Sequence, residues 1–408
     1  MDIKPLQVAK CIFLVPINKQ KTIMYDSRND KIITIYQNLK ISKKIFKHFE
    51  EKEKALCDNS QFRPQELSLV LTRKCNLRCR YCCANGGSDQ KIMPAWVAKK
   101  AIDLLFLVAK KNNYDLVSIL YTGGEPTLAW RVLKYSFNYA KGIAKKRKIK
   151  VNFSISTNGT ASKKKIQFLA KNFHHIQISL DGVREINDLN RIFPDGTGSF
   201  SKVSENLEYL KKKGFTNYGI RGTVTKNNIR HMPANLEFFV KKLKLKAHGL
   251  SKRVDLAPYD LLIRNIPAWK SYSMQYCKLL SSKKFKDFLV IKRYGLGCNL
   301  KNNLIVGPYG DISSCCYEII PSDKNYKYFV FGKISKSKIV LNLNKASRKY
   351  SDKKSRKSPC KDCIAKVGCA GECSRLTLND KQYNKTSLTP RCDLIRFHFL
   401  EKLKKLAD

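Results

Sequence analysis

The run Cys75-Asn-Leu-Arg-Cys79-Arg-Tyr81-Cys82 sets three thiols at C-x3-C-x2-C spacing. Three thiolates on one tight loop can ligate three irons of a [4Fe-4S] cluster. The fourth iron then has no protein ligand and stays open to a substrate or cofactor. A structural zinc ion wants four ligands, and Cys83 is badly placed to be the fourth because it adjoins Cys82. A second array lies towards the C-terminus: Cys298, Gly310-x4-Cys315, Cys360-x2-Cys363-x5-Cys369-x3-Cys373, and Cys392. The chain holds 15 cysteines. In a reducing cytoplasm so many thiols read as metal ligands rather than disulfides.

The first array needs a strand to deliver it, and Leu67, Leu69 and Leu71 alternate as one immediately upstream. Pro94 opens a helix running to about Lys111, at the position where its missing N–H costs nothing. Strand and helix then alternate. Strands are expected at Leu116–Tyr121, Val151–Ser156, Ile176–Leu180, Tyr218–Val224 and, more weakly, Val254–Ala257. Helices are expected up to about Lys146, near 161–171, near 200–213 and near 233–245. Six such units in series imply a parallel sheet with right-handed crossovers. Six are too few to close an eight-fold barrel, so the expected fold is α/β, a partial (β/α)6 TIM-like barrel. In that architecture chemistry sits at the C-terminal strand ends, where the motifs fall.

Three domains are expected. Residues 1–62 form a short β-rich segment (a strand over Cys11–Ile17, another at Ile32, Ile33 and Ile35) with a helix at Ile41, Ile45, Phe46 and Phe49. The polar stretch Glu51–Gln65 reads as a linker. Residues 66–290 form the barrel. Residues 292–408, with short strands, glycines and cysteines, form a small metal-held domain closed by a helix carrying Leu394, Ile395, Phe397, Phe399 and Leu400.

Composition narrows the class. A hydrophobic fraction of 43% and an aromatic fraction of 10% support a packed core. No stretch reaches the roughly 18 to 20 apolar residues of a membrane helix, and no signal peptide is evident, so a cytoplasmic location is expected. The net charge of +48 is extreme. Lysines are scattered from Lys4 to Lys405 rather than gathered into a stripe with aromatics, which favours solvated helix faces over a nucleic-acid interface.

The C-x3-C-x2-C run, with an aromatic residue before its third cysteine, resembles the defining motif of the radical S-adenosylmethionine (SAM) superfamily. The resemblance implies that Cys75, Cys79 and Cys82 hold the cluster, that SAM chelates the open iron, and that one electron cleaves it to a 5′-deoxyadenosyl radical. It places Tyr81 near the adenine. Tyr121-Thr-Gly123-Gly124-Glu125-Pro126 resembles the family's GGEP element, which implies glycines that let the backbone approach SAM and a Glu125 carboxylate that accepts from its ammonium. Ser156-Thr-Asn158-Gly resembles the polar strand end near the ribose. Ser179-Leu-Asp181-Gly, followed by Asp188 and Arg191, resembles a fourth-strand pattern in which Arg191 pairs with the SAM carboxylate; a surface salt bridge to Asp188 is the alternative. The resemblance covers about residues 66–260.

The second array resembles a SPASM domain with two auxiliary [4Fe-4S] clusters. By that likeness Cys360, Cys363, Cys369 and Cys392 bind the outer cluster, and Cys298, Cys315 and Cys373 bind the inner one. The inner cluster's fourth ligand stays open between Cys316, Cys277 and substrate. Cys11 and Cys57 read as small buried hydrophobes. The resemblance implies a peptide or protein substrate: maturation of a ribosomally synthesised peptide by crosslink or thioether formation. An acidic leader would suit the basic surface, the N-terminal segment would recognise it, and a flavodoxin or ferredoxin would donate electrons. A small molecule or tetrapyrrole is the alternative substrate, and a sulfatase-maturase-like protein oxidase the alternative activity. Against the last, the acidic residue that pattern carries after the G-x4-C cysteine is Cys316 here. No His or carboxylate stands out as a general base.

Overall fold

The computed structural model describes residues 6–9, 12–16, 21–26, 31–36, 62–225, 227–244, 254–258, 303–344, 363–364, 396 and 400. The chain divides into two units, one of residues 61–261 and 299–347, the other of residues 1–60, 262–298 and 348–408.

In the second unit, β1 (Leu6–Ala9), β2 (Ile12–Pro16), β3 (Lys21–Asp26) and β4 (Lys31–Tyr36) form an antiparallel sheet in chain order. Phe13 and Val15 alternate with less buried neighbours and pair across to Tyr25 and Ile23, so one face of the β2–β3 ladder is apolar. The two expected strands are present, and β1 and β3 complete a four-stranded sheet. The expected helix at 41–49 and most of the 51–65 linker lie outside the described residues, as does most of the expected helix at 394–400, of which Arg396 and Leu400 are described and helical.

The first unit carries the expected strand–helix series. Its strands are β5 (Glu66–Val70), β6 (Leu116–Thr122), β7 (Lys150–Thr157), β8 (His175–Ser179), β9 (Tyr218–Val224) and β10 (Val254–Pro258). They pair in parallel and in chain order. Between them run α1 (Ala95–Lys111), α2 (Trp130–Arg147), α3 (Lys163–Asn172), α4 (Arg184–Asn190), α5 (Phe200–Lys212) and α6 (Met232–Glu237), the last continuing into a π-type turn at Phe238–Lys242. α1 buries Val97, Ala98, Ala101, Ile102, Leu105, Phe106 and Ala109, the stripe that helical periodicity demands. In β6, Val117, Ile119 and Tyr121 are buried and alternate with partly exposed neighbours. The Tyr121 ring joins Phe137, Phe153 and Phe173 in an aromatic cluster between sheet and helices, with centroid separations of 4.5–6.5 Å.

The sheet does not stop at β5. β11 (Asn303–Val306) pairs in parallel with it, and β12 (Asp311–Ser313), β13 (Val330–Ile334) and β14 (Ile339–Leu341) follow antiparallel, with a short α7 (Tyr326–Phe329) between β12 and β13. The result is one mixed ten-stranded sheet. Residues 303–341 therefore extend the barrel sheet, and the boundary expected at 292 lies outside the described residues. Among the described residues no helix is long and apolar enough to cross a membrane.

Candidate metal centre

The cysteine loop leaves β5 through Leu71-Thr72-Arg73-Lys74 and is stapled at its base. Thr72 and Ile92 form an antiparallel bridge, Met93 N donates to Leu71 O (2.8 Å), and Thr72 Oγ1 donates to Lys91 O (2.7 Å). Along its length the loop borrows backbone partners from the end of α4 and the residues after it: Arg78 N donates to Ile192 O (2.7 Å) and Arg80 N to Asn190 O (3.0 Å). Two distant stretches of chain thus hold Cys75 to Cys82 in one conformation before any metal is considered.

The thiols already receive N–H donors. Leu77 N reaches Cys75 Sγ at 3.4 Å, Gly86 N reaches Cys82 Sγ at 3.2 Å, and Asn158 Nδ2 lies 3.9 Å from Cys75 Sγ. Gly86 sits against two of the three sulfurs. A Cβ there would lie 3.5 Å from Cys82 Sγ and 3.7 Å from Cys75 Sγ, filling the space beside them. Burial pushes the Cys75 thiol up to about 11 and raises Cys79 as well, the latter partly offset by the Arg191 charge. Thiolates in such a place need cationic compensation, which iron supplies as it displaces the protons. Among the described residues no group of three or more His, Cys, Asp or Glu side chains could hold a single metal ion. The donor set fits a cluster with sulfur ligands and amide donors around it.

Gly123 and Gly124 are required by the packing of the chain itself. A Cβ on Gly123 (φ +144°) would meet Thr72 O at 2.3 Å, and one on Gly124 would meet Arg73 O at 2.4 Å and Lys74 O at 2.5 Å. The glycines let the end of β6 lie directly on the stem of the cysteine loop, where Gly124 N donates to Thr72 O (2.8 Å) and Glu125 N to Lys74 O (2.9 Å). Gly124→Ala is expected to cost about 2–3 kcal/mol by overpacking and to lower iron uptake, checked by urea denaturation of the iron-free protein and iron analysis after reconstitution.

Glu125 is 1% exposed and turned inward. Oε1 accepts from Thr127 N (3.0 Å), Thr127 Oγ1 (2.6 Å) and Thr157 Oγ1 (2.9 Å); Oε2 accepts from Asn158 N (2.7 Å) and Thr157 Oγ1 (3.0 Å). Both oxygens are thus engaged by the chain, so the geometry gives this carboxylate the work of joining the ends of β6 and β7. Pro126 opens the 3-10 turn that Glu125 caps. Asn158 is likewise drawn to the loop: its Nδ2 donates to Asn76 Oδ1 (2.9 Å), and Asn76 Nδ2 donates to Thr160 Oγ1 (2.9 Å). Ser156 and Ser179 are half-buried at the C-terminal ends of β7 and β8.

Asp181, Tyr81 and Arg191 meet in one buried network. Tyr81 donates its hydroxyl proton to Asp181 Oδ2 (2.6 Å), Arg191 Nη1 donates to the same hydroxyl (2.7 Å), and Asp181 Oδ1 accepts from Thr223 N (2.9 Å). Burial pushes the tyrosine hydroxyl well above its ordinary value, which keeps it a donor. Burial also raises the Asp181 carboxyl, with Arg191 opposing. The surface-arginine alternative fails: Arg191 is 6% exposed, and Asp188 Oδ1 instead accepts from Phe200 N and Asn187 Nδ2. Arg191 Nε is buried without a hydrogen-bond partner, a donor suited to an anionic group such as a carboxylate.

Residues 69–239 match the family model described as the Radical SAM superfamily, and residues 298–364 match SPASM, an iron-sulfur cluster-binding domain. An uncharacterised protein of Methanocaldococcus jannaschii is 33% identical over 252 residues, 57% of this chain and 82% of that protein. The chain belongs to the radical SAM superfamily. The matches imply a [4Fe-4S] cluster, SAM, and auxiliary iron–sulfur clusters as its cofactors. The cysteine-type anaerobic sulfatase-maturating enzyme of Clostridium novyi is 32% identical over 186 residues, 44% of this chain and 49% of that enzyme, so the chain spans about half of that relative's length. The structure of native anSMEcpe with bound AdoMet and Cp18Cys peptide shares the fold at TM-score 0.63 and 22% identity, covering 84% of this chain and 99% of that one.

Of the second array, Cys315 and Cys363 are described: Cys315 is buried, and Cys363 half-buried. Cys298, Cys360, Cys369, Cys373 and Cys392 lie outside the described residues, as do Cys11, Cys57 and Cys277. Cys83 is half-buried beside the loop. Cys316, also half-buried, packs against Val70, Ile305, Ile319 and Ile320. Glu318, the nearest following carboxylate, is 2% exposed and accepts from Asn325 N (2.8 Å) and Nδ2 (3.1 Å). Sequence reasoning passed over Thr157, Asn76, Arg73 and Asp323, whose contacts lie far along the chain.

In the first unit the lysines are less evenly spread than the sequence conveys. Lys110 and Lys111, Lys145 to Arg147, Lys171, and Lys211 and Lys212 fill the last turns of α1, α2, α3 and α5. There they oppose the negative helix ends, at the strand end away from the cysteine loop.

Proposed function

We propose that this chain is an enzyme that reductively cleaves SAM and removes a hydrogen atom from a peptide or protein. The observation that carries the reading is the three-thiol loop, locked by its neighbours, supplied with N–H donors, and faced by the buried Arg191. When bound, the cluster would supply the electron that divides SAM into methionine and a 5′-deoxyadenosyl radical. Cys75, Cys79 and Cys82 would hold it. Arg191 would take the SAM carboxylate through its unpaired Nε, with Tyr81 and Asp181 fixing the guanidinium. Asn158 and Glu125 would hold the loop and the strand ends in register.

The finer reading is maturation of a ribosomally made peptide by crosslink or thioether formation, in the cytoplasm, with a flavodoxin or ferredoxin as electron donor. Its support is the SPASM match together with a fold shared with a peptide-bound structure. Two auxiliary [4Fe-4S] clusters would take the electron left on the substrate. An acidic leader would be attracted by the net charge of +48. A sulfatase-maturase-like oxidation is the second reading, favoured by the Clostridium novyi relative. Against it, Cys316 follows Cys315, and Glu318 is already engaged by Asn325.

Anaerobic reconstitution with iron, sulfide, dithionite and SAM tests the proposal. Production of 5′-deoxyadenosine supports it; an iron-free, colourless protein that is folded and functional sinks it. Arg191→Lys is expected to weaken SAM binding about tenfold or more, because an ammonium replaces a planar fork, while iron content stays unchanged. Equilibrium binding of SAM to the reconstituted variant checks this.

A further inference from the structure

Arg73 follows β5 and is not one of the family-like motif residues, yet its side chain is 1% exposed and reaches two remote places. Nη1 donates to Ala84 O (2.9 Å), on the return limb of the cysteine loop. Nη2 donates to Asp323 Oδ2 at 3.0 Å, 250 residues away in sequence. Its carbonyl accepts from Gly87 N (2.7 Å), so Arg73 holds that return limb at two points.

Asp323 closes the turn that begins at Cys315. Its Oδ2 also accepts from Ile319 N (2.6 Å) and Ile320 N (2.8 Å). At the turn's start, Cys315 N donates to Ser313 Oγ (3.1 Å), which donates onward to Glu318 O (2.8 Å). Ile319 and Ile320 pack on Val70 and Ile305, with Cys316 against the same cluster. One ion pair, buried on the Arg73 side and partly exposed at Asp323, therefore joins the stem of the first cysteine array to the turn bearing Cys315 and Cys316. The pair is not placed for stability alone. Buried charges are costly to desolvate, and Arg73 Nε is left without a hydrogen-bond partner. Two directed donors to two fixed acceptors instead specify one relative placement.

We propose that Arg73 and Asp323 are positioning residues that set the placement of the Cys75–Cys82 loop relative to the Cys315 turn, so that a disturbance at either end is transmitted to the other. The link to clusters rests on the function proposed above; the mechanical coupling does not.

The test uses the full chain and two variants. Asp323→Asn keeps an acceptor for the Ile319 and Ile320 amides but removes the charge. Arg73→Lys keeps a charge but cannot serve Ala84 and Asp323 together. Hydrogen–deuterium exchange of the iron-free protein is the first readout. In Asp323→Asn the amides of residues 82–87 are expected to exchange about tenfold faster, while those of α2 do not change. Arg73→Lys should accelerate residues 316–323 in the same way. Unchanged exchange at the far end in both variants overturns the proposal, and so does uniform acceleration that includes α2, the signature of a merely structural pair. If one variant fails to fold, the other decides.

The second readout is electron paramagnetic resonance of the reconstituted, fully reduced protein. Altered spin–spin broadening at wild-type iron content supports the proposal; unaltered broadening overturns its link to the clusters. Iron-free wild-type protein would instead refute the functional reading while leaving the exchange result to stand.

Discussion

Cys79→Ala is expected to abolish 5′-deoxyadenosine formation and to remove about four irons per chain, while the protein remains folded. Three thiolates are the fewest that hold a [4Fe-4S] cluster with one iron open, so two leave no site. The loop itself is kept by contacts that do not involve the Cys79 side chain: the Thr72–Ile92 bridge and the pairing of Arg78 and Arg80 with Ile192 and Asn190. Cys79 is only partly buried, so truncation to alanine in the iron-free protein is expected to cost no more than about 1 kcal/mol. Iron and sulfide analysis, thermal unfolding of the iron-free protein, and chromatography of a SAM reaction with dithionite give the three readouts. Undiminished 5′-deoxyadenosine from the variant would remove the cluster from Cys75, Cys79 and Cys82.

The cysteine motif was legible because its thiols are local. Three thiols within one loop need no knowledge of tertiary structure, and the strands around them announce themselves by alternation, as in Val117, Ile119 and Tyr121. α4 went unread because a helix of seven residues carries too little periodicity. The parallel pairing of β11 with β5 went unread for a different reason. Asn303–Val306 is a four-residue strand whose partner lies more than 200 residues upstream, and nothing in either stretch specifies that register. The same distance hid the Arg73–Asp323 pair.

The direction in which a side chain points is hidden as well, and the GGEP-like turn shows what that changes. Its type and position were readable; its packing on the cysteine-loop stem was not. Gly123 and Gly124 are glycines because the Thr72–Lys74 backbone occupies the space of their Cβ atoms. Arg191 was balanced between the SAM carboxylate and a surface ion pair with Asp188, and its burial beside Tyr81 removes the second.

Glu125 separates these two kinds of knowledge by experiment. If its carboxylate acts as the joint between β6 and β7, Glu125→Ala leaves the N–H groups of Thr127 and Asn158 and two threonine hydroxyls without their acceptor in a buried site. At about 1–3 kcal/mol for each unsatisfied group, tempered by relaxation, the loss should reach roughly 3–5 kcal/mol. For a unit of this size that lowers Tm by on the order of 10 °C. Glu125→Gln discriminates more sharply. It keeps the shape and one acceptor but turns an amide N–H2 towards donors, so it should lose about 2 kcal/mol of stability in the iron-free protein, where no SAM can bind. A residue whose work was to accept from the SAM ammonium would behave oppositely: Glu125→Gln would unfold like the wild type and weaken SAM binding alone. Urea denaturation of the iron-free variant, set beside SAM affinity of the reconstituted one, reads both quantities. Wild-type stability with impaired SAM binding would return Glu125 to the ligand; lost stability keeps it in the scaffold that holds the cysteine loop against β6 and β7.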